Sequence, residues 1–161
     1  MQSTTPSGPG TKVAAAAPRG APNERHLSKL ALAWLACLFG VFGLHWWYLG
    51  RPKAWVITLF SVSMLALAQL YPSWWENPAF LILIIPATAG FIESLIFALK
   101  PDEAFDAKYN PASGQTTRTG WGAVIAAIFT MLVGGMVVTL AIAVIVVYVY
   151  TSMGWLDGYV F

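Results

Sequence analysis

From Leu30 to Leu44 no position is charged, and the polar residues that a soluble amphipathic helix would show at every second or third position are missing. Three further stretches share this pattern, so apolar segments run at residues 27–49, 54–71, 79–99 and 122–150. Each is expected to be a helix crossing a bilayer. The second would be about 27 Å long, close to the ~30 Å of a hydrocarbon core. The third carries Pro86 and Gly90, which should bend or loosen it. The fourth, at about 43 Å, must tilt or run into the headgroups. The pattern therefore predicts an all-α, polytopic integral membrane protein with about four transmembrane helices.

Composition points the same way. Of the 161 residues 58% are hydrophobic and 10% charged, against about 25% charged in an average soluble domain, which leaves too few charges to keep a soluble surface wet. The formal charge of +2 is too small and too scattered to suggest nucleic acid. Cys37 is the sole cysteine, so no intramolecular disulfide forms and the redox compartment is not indicated. No prenylation or myristoylation signal is present. Residues 1–25 are expected to be a disordered tail, because Ser, Thr, Pro, Gly and Ala dominate and cannot bury enough apolar surface to offset chain entropy. The one apolar run there, residues 13–17, is too short for a signal peptide.

Aromatic residues mark the segment ends. Trp46, Trp47, Tyr48 and Trp55 are expected at one headgroup boundary, and Tyr71, Trp74 and Trp75 at the other, while Trp121, Tyr148 and Tyr150 bracket the last helix. Between the third and fourth segments, residues 100–110 suggest a short interfacial helix with Phe105 and Tyr109 on one side at i, i+4. The acidic run Asp102, Glu103, Asp106 reads as a wet face on it. Residues 111–120 read as a flexible connector, 121–150 as the last membrane helix and 151–161 as a short tail. Strict alternation of four spans puts Lys12, Arg19, Arg25 and Lys29 on one side and Arg51, Lys53, Lys100, Lys108 and Arg118 on the other. Four against five does not orient the chain.

Glu93 carries the most chemistry. On helical rise it lies about 10 Å inside the boundary marked by Lys100, where an acid costs less than the roughly 2.5–3.5 kcal/mol of the helix centre. Alternation brings it to the same face as His45, Tyr48 and Arg51. Three readings stand: Glu93 accepts a hydrogen bond from His45 or Arg51 and clamps the spans, it snorkels toward Lys100, or it relays protons. His45 alone is a poor metal ligand, and His26 is about 28 Å away by rise. Small residues form one face of the first helix (Ala33, Ala36, Cys37, Gly40, Gly43) and two ladders in the last, Ala126–Thr130–Gly134 and Gly135–Thr139–Ala143. Such ladders let helix backbones approach closely in lipid. No nucleophile elbow, P-loop or dinucleotide fingerprint appears, and no catalytic residue is expected.

The run Gly40-x-x-Gly43-x-His45-x-x-Tyr48-x-Gly50-Arg51, approached by Lys29, Ala33, Leu35 and Ala36, resembles the TM-two (two-transmembrane) domain family. Ile92–Glu93 is similar to the step closing that family's second span, and residues 102–110 to the acidic tail of many bacterial members. The resemblance covers residues 26–110 and implies a helical hairpin core, with the last span an addition. Trp46 and Trp47 depart from the family pattern, which commonly has a basic residue and Phe there, and two apolar segments stand where one second span is implied. For bacterial members, which imply the inner membrane, no general activity follows. The expected function is a non-enzymatic scaffold or accessory subunit, packing with itself or a larger membrane complex, with no cofactor, metal or nucleic acid. The alternative is a small transporter or proton-conducting protein that uses Glu93.

Overall fold

The computed structural model describes residues 25–73 and 76–158, and these are helices joined by turns and irregular connectors, without strand. Residues 1–24 of the tail expected at residues 1–25, Trp74, Trp75 and the last three residues lie outside the described residues. Helix α1, Lys29–Phe39, is capped by Ser28, whose hydroxyl accepts the Ala31 amide. It tightens into a 3₁₀ turn at Gly40–Phe42 and stops at Gly43, which sits at φ 69. That left-handed conformation costs little only for glycine. A short α2, Leu44–Tyr48, follows and runs back along α1, so that the Ser28 amide donates to the Tyr48 hydroxyl at 3.1 Å.

The segment at 27–49 is therefore not the single continuous helix expected from its apolar run. Both of its ends meet. The reversal takes the carbonyls of Val41 and Phe42 out of regular helix, and helix α3, Ala54–Ala68, supplies donors for them: Ser61 bonds Val41, and Thr58 bonds Phe42 at 2.8 Å. In an apolar medium such carbonyls must find partners. These two hydroxyls are why a turn can sit there.

After α3 the chain forms α4, Pro78–Leu81, capped by Asn77, and α5, Ile84–Leu99. The bend lies at residues 82–83, one turn before Pro86. Proline has no N–H for the Ile82 carbonyl, which instead accepts the Ile85 amide in a tighter turn. Helix α6, Asp102–Tyr109, crosses the end of α5. Helix α7, Gly120–Phe129, passes through a π turn at Thr130–Gly134 into α8, Gly135–Ser152.

Helices α1 and α7 both run antiparallel to α5. Lys29 and Thr119 meet Asp102 beyond the C-terminal end of α5, Ser94 meets Ala33 and Thr130, and Gly40 meets Gly90. A buried core cluster lies in this half: Leu32, Ala33, Ala36, Phe97, Ala98, Phe105, Ala126 and Ala127. Helix α8 buries no residue. Between it and α3–α5 lies an apolar groove of about 550 Å³, lined by residues such as Phe42, Leu65, Ala87 and Leu140. Two helices are long and apolar enough to cross a membrane, Pro78–Leu99 with 22 residues and Gly120–Ser152 with 33, while Lys29–Phe42 and Ala54–Ala68 are shorter. The described residues form an all-helical fold with two candidate spans by length and composition, where the apolar runs suggest four: Gly43 cuts the first run short, and α3 has 15 residues.

Candidate functional site

Turning the chain at Gly43 aims α2 at the middle of α5, and this builds a polar cluster around Glu93. His45 Nε2 donates to Glu93 Oε2 at 2.6 Å, and the indole N–H of Trp46 donates to the same oxygen at 2.8 Å. Arg51 Nη1 stands 3.9 Å from Oε1, and its guanidinium lies over the Trp46 ring at 4.8 Å. His45 is 2% exposed and packs edge-on against Phe97. Its Nδ1 is buried without a hydrogen-bond partner. Two neighbouring residues of α2 thus grip one oxygen of α5. Trp46, a departure from the family pattern, is a direct participant.

Of the other motif positions, Tyr48 receives the Ser28 amide and lies under the Arg25 guanidinium at 5.0 Å. Gly43 packs on Ile57, and Gly50 takes φ 67 in the turn toward α3 with open space around it. Gly40 belongs to the contact with Gly90. The two ladders of the last helix part company. Ala126, Thr130 and Gly134 face inward, with Gly134 under the Phe91 ring. Gly135, Thr139 and Ala143 are exposed, and nothing stands within 4 Å of where a Gly135 side chain would begin.

A second polar cluster lies at the end of the bundle. Lys29 is 4% exposed, and its ammonium donates to Asp102 at 2.7 Å and to the Thr119 hydroxyl at 3.2 Å. Asp102 also accepts the Thr119 amide and hydroxyl. One turn on, Asp106 repeats the device with the Thr117 amide, the Thr117 hydroxyl and the Asn110 side chain. His26 reaches Ser113 and Thr117. The Lys29 hydrogen bond, followed by those from Thr119, holds the Asp102 carboxyl down at about 2. Burial raises Asp106, but the Thr117 and Asn110 hydrogen bonds outweigh it and keep that carboxyl below its ordinary value. These aspartates are not the merely solvated face expected from the acidic run, and the stretch expected to be a loose connector is pinned at Thr117 and Thr119.

Deeper in, Ser94 donates to the Ala33 carbonyl at 2.8 Å, Thr130 donates to the Ala126 carbonyl at 2.7 Å, and the two hydroxyls meet at 3.0 Å. This ties α1, α5 and α7 together at the π turn. Ser94 was not singled out from sequence; a serine in an apolar run, one residue after Glu93, was the available signal. Among the described residues no three His, Cys, Asp or Glu side chains converge as a metal site would require.

Residues 25–74 match the family model of the TM2 domain. The match covers α1 to α3 and stops short of Glu93 and of residues 102–110, which the resemblance had included. No curated protein and no solved structure matches the chain. With the glycine turn, His45 and Tyr48 all inside the matched stretch, the chain carries a TM2 domain at residues 25–74.

Proposed function

We propose that this protein is a non-enzymatic membrane scaffold or accessory subunit, in which the TM2 hairpin anchors the α7–α8 helix and α8 presents a packing face to a second copy or a larger membrane complex. The observation that carries this reading is the division of the two ladders. The inner ladder is consumed by contacts with α1 and α5, whereas Gly135, Thr139 and Ala143 stay open on a helix that buries nothing. Helices in lipid gain little from hydrophobicity, so an open small-residue face is where a further helix can approach. Cysteine crosslinking at Thr139→Cys in native membranes, in a Cys37→Ser background, tests it. A discrete crosslinked species is expected, lost when Gly135 and Ala143 are changed to leucine. No crosslink at this face in membranes would remove the reading.

A second reading, proton conduction through Glu93, draws on the unpartnered Nδ1 of His45 beside the carboxylate. Flux into liposomes that disappears in Glu93→Gln would favour it over the scaffold.

A further inference from the structure

The charges of this protein are sorted by end. The Ser28–Tyr48 contact returns the chain to its starting side after α2, so Arg51 and Lys53 join Arg25 and Lys29 instead of opposing them. Lys100 and Lys108 lie there as well, both over the Tyr109 ring, at 5.4 and 5.1 Å. Arg118 sits between Thr117 and Thr119, which Asp106 and Asp102 hold. All the lysines and arginines among the described residues are thus at one end. Lys29 is buried against Asp102, Asp106 is spent on Thr117 and Asn110, and Glu93 is occupied by α2. What faces outward is Arg25, Arg51, Lys53, Lys108 and Arg118, with Lys100 half-buried beside them and Glu103 the one exposed acid among them. At the other end α3 finishes at Ala68, met by Asn77, and Glu76 shares a cavity with Thr151 and Ser152. The charged residues described there are Glu76 and Asp157, both acids.

We propose that the basic end is a docking surface for anionic phospholipid headgroups of the cytoplasmic leaflet, and that it fixes the chain with three crossings rather than four: α1–α2 dips in and returns, α3 crosses outward, α4–α5 returns, and α7–α8 crosses to leave Asp157 outside. Cytoplasmic faces carry the excess of lysine and arginine, and anionic lipid attracts each such charge near its surface. The aromatic rings under Arg25, Arg51, Lys100 and Lys108 hold these cations at headgroup depth, where tyrosine and tryptophan settle.

The test uses the full chain in a bacterial membrane with Cys37→Ser and single cysteines at Ser7, Pro52, Ser73, Thr116 or Asp157. With sealed spheroplasts and a membrane-impermeant maleimide, Ser73→Cys and Asp157→Cys should react, and the other three should react only after lysis. Labelling of Ser7→Cys and Pro52→Cys from opposite sides, or shielding of Ser73→Cys and Asp157→Cys, overturns the topology. For the lipid, the purified chain in detergent is titrated with short-chain phosphatidylglycerol and phosphatidylcholine. Phosphatidylglycerol should bind more tightly, salt should weaken it, and each of Lys53→Gln, Lys108→Gln and Arg118→Gln should weaken it by about fivefold. Equal binding of the two lipids overturns the docking surface.

Discussion

A side chain on Gly40 would begin 2.5 Å from the Cα of Gly90, and one on Gly90 would stand 2.8 Å from the Ala36 carbonyl oxygen. The obstacle in both directions is backbone, which cannot swing aside as the end of a side chain can. Gly40 and Gly90 are thus the point where α1 and α5 touch main chain to main chain. Gly40→Ala or Gly90→Ala should cost about 3 kcal/mol, the upper part of the range for overpacking. Gly134→Ala meets the Phe91 ring at 2.9 Å and should cost less, because a ring can shift. Gly135→Ala faces open space and should gain up to about 1 kcal/mol from helix propensity. Denaturation midpoints in one detergent would rank the four. Equal losses at Gly90 and Gly135 would contradict the crossing.

Gly43 makes a different demand. Its φ of 69 requires glycine for conformation, and a side chain there would also stand 3.1 Å from Ile57 Cγ2. Gly43→Ala should cost about 1–2 kcal/mol from the left-handed backbone alone. Because α2 hangs on this turn, the Ser28–Tyr48 contact should loosen with it. Slower trypsin cleavage after Lys53 in the variant than in the wild type would contradict this; faster cleavage is expected.

The helical class, the motif cluster and the pairing of Glu93 with His45 were all legible, because charge-free runs and an acid within one are local signals. The reversal at Gly43 was not. A glycine in an apolar run looks the same whether the helix passes through it or ends there, and the deciding hydroxyls, Thr58 and Ser61, lie on the next helix. The expectation of four spans counted that first run as one continuous helix. The roles of Asp102 and Asp106 were hidden by distance along the chain: Lys29 is 73 positions from its partner, so an acidic run looked solvated. Trp46 looked like a lipid-facing aromatic because its one polar atom matters only once Glu93 is opposite.

The Lys29–Asp102 pair should appear in the pH dependence of stability. With its folded value at about 2 and its ordinary value at 3.8, Asp102 binds a proton more readily in the unfolded chain. Its contribution is therefore fully present above about pH 4 and is lost as pH falls toward 2. The stability gap between wild type and Asp102→Asn should be constant from pH 5 to 7 and close over that lower window, read from detergent-solubilised unfolding. Asp102→Ala should cost about 3 kcal/mol at neutral pH, because it strands a buried ammonium with only Thr119 beside it. A gap that stays the same down to pH 2 would mean that the pair does not stabilise the fold.

Glu93 offers the sharpest separation between a clamp and a bystander. If His45 and Trp46 hold α2 against α5 through one carboxylate oxygen, the losses from Glu93→Gln and His45→Ala must overlap, since either change breaks the same 2.6 Å bond. The double variant should then lose less than the sum of the singles, by about 0.5–3 kcal/mol. Trp46→Phe, which removes only the indole donor, should show a similar overlap with Glu93→Gln. Arg51→Gln should show little, because its nitrogen stands 3.9 Å from Oε1 and its side chain is 40% exposed. Strict additivity of Glu93→Gln and His45→Ala would sink the clamp. Additivity for Trp46 alone would leave the histidine as the sole grip and return the tryptophan to the role of a headgroup anchor.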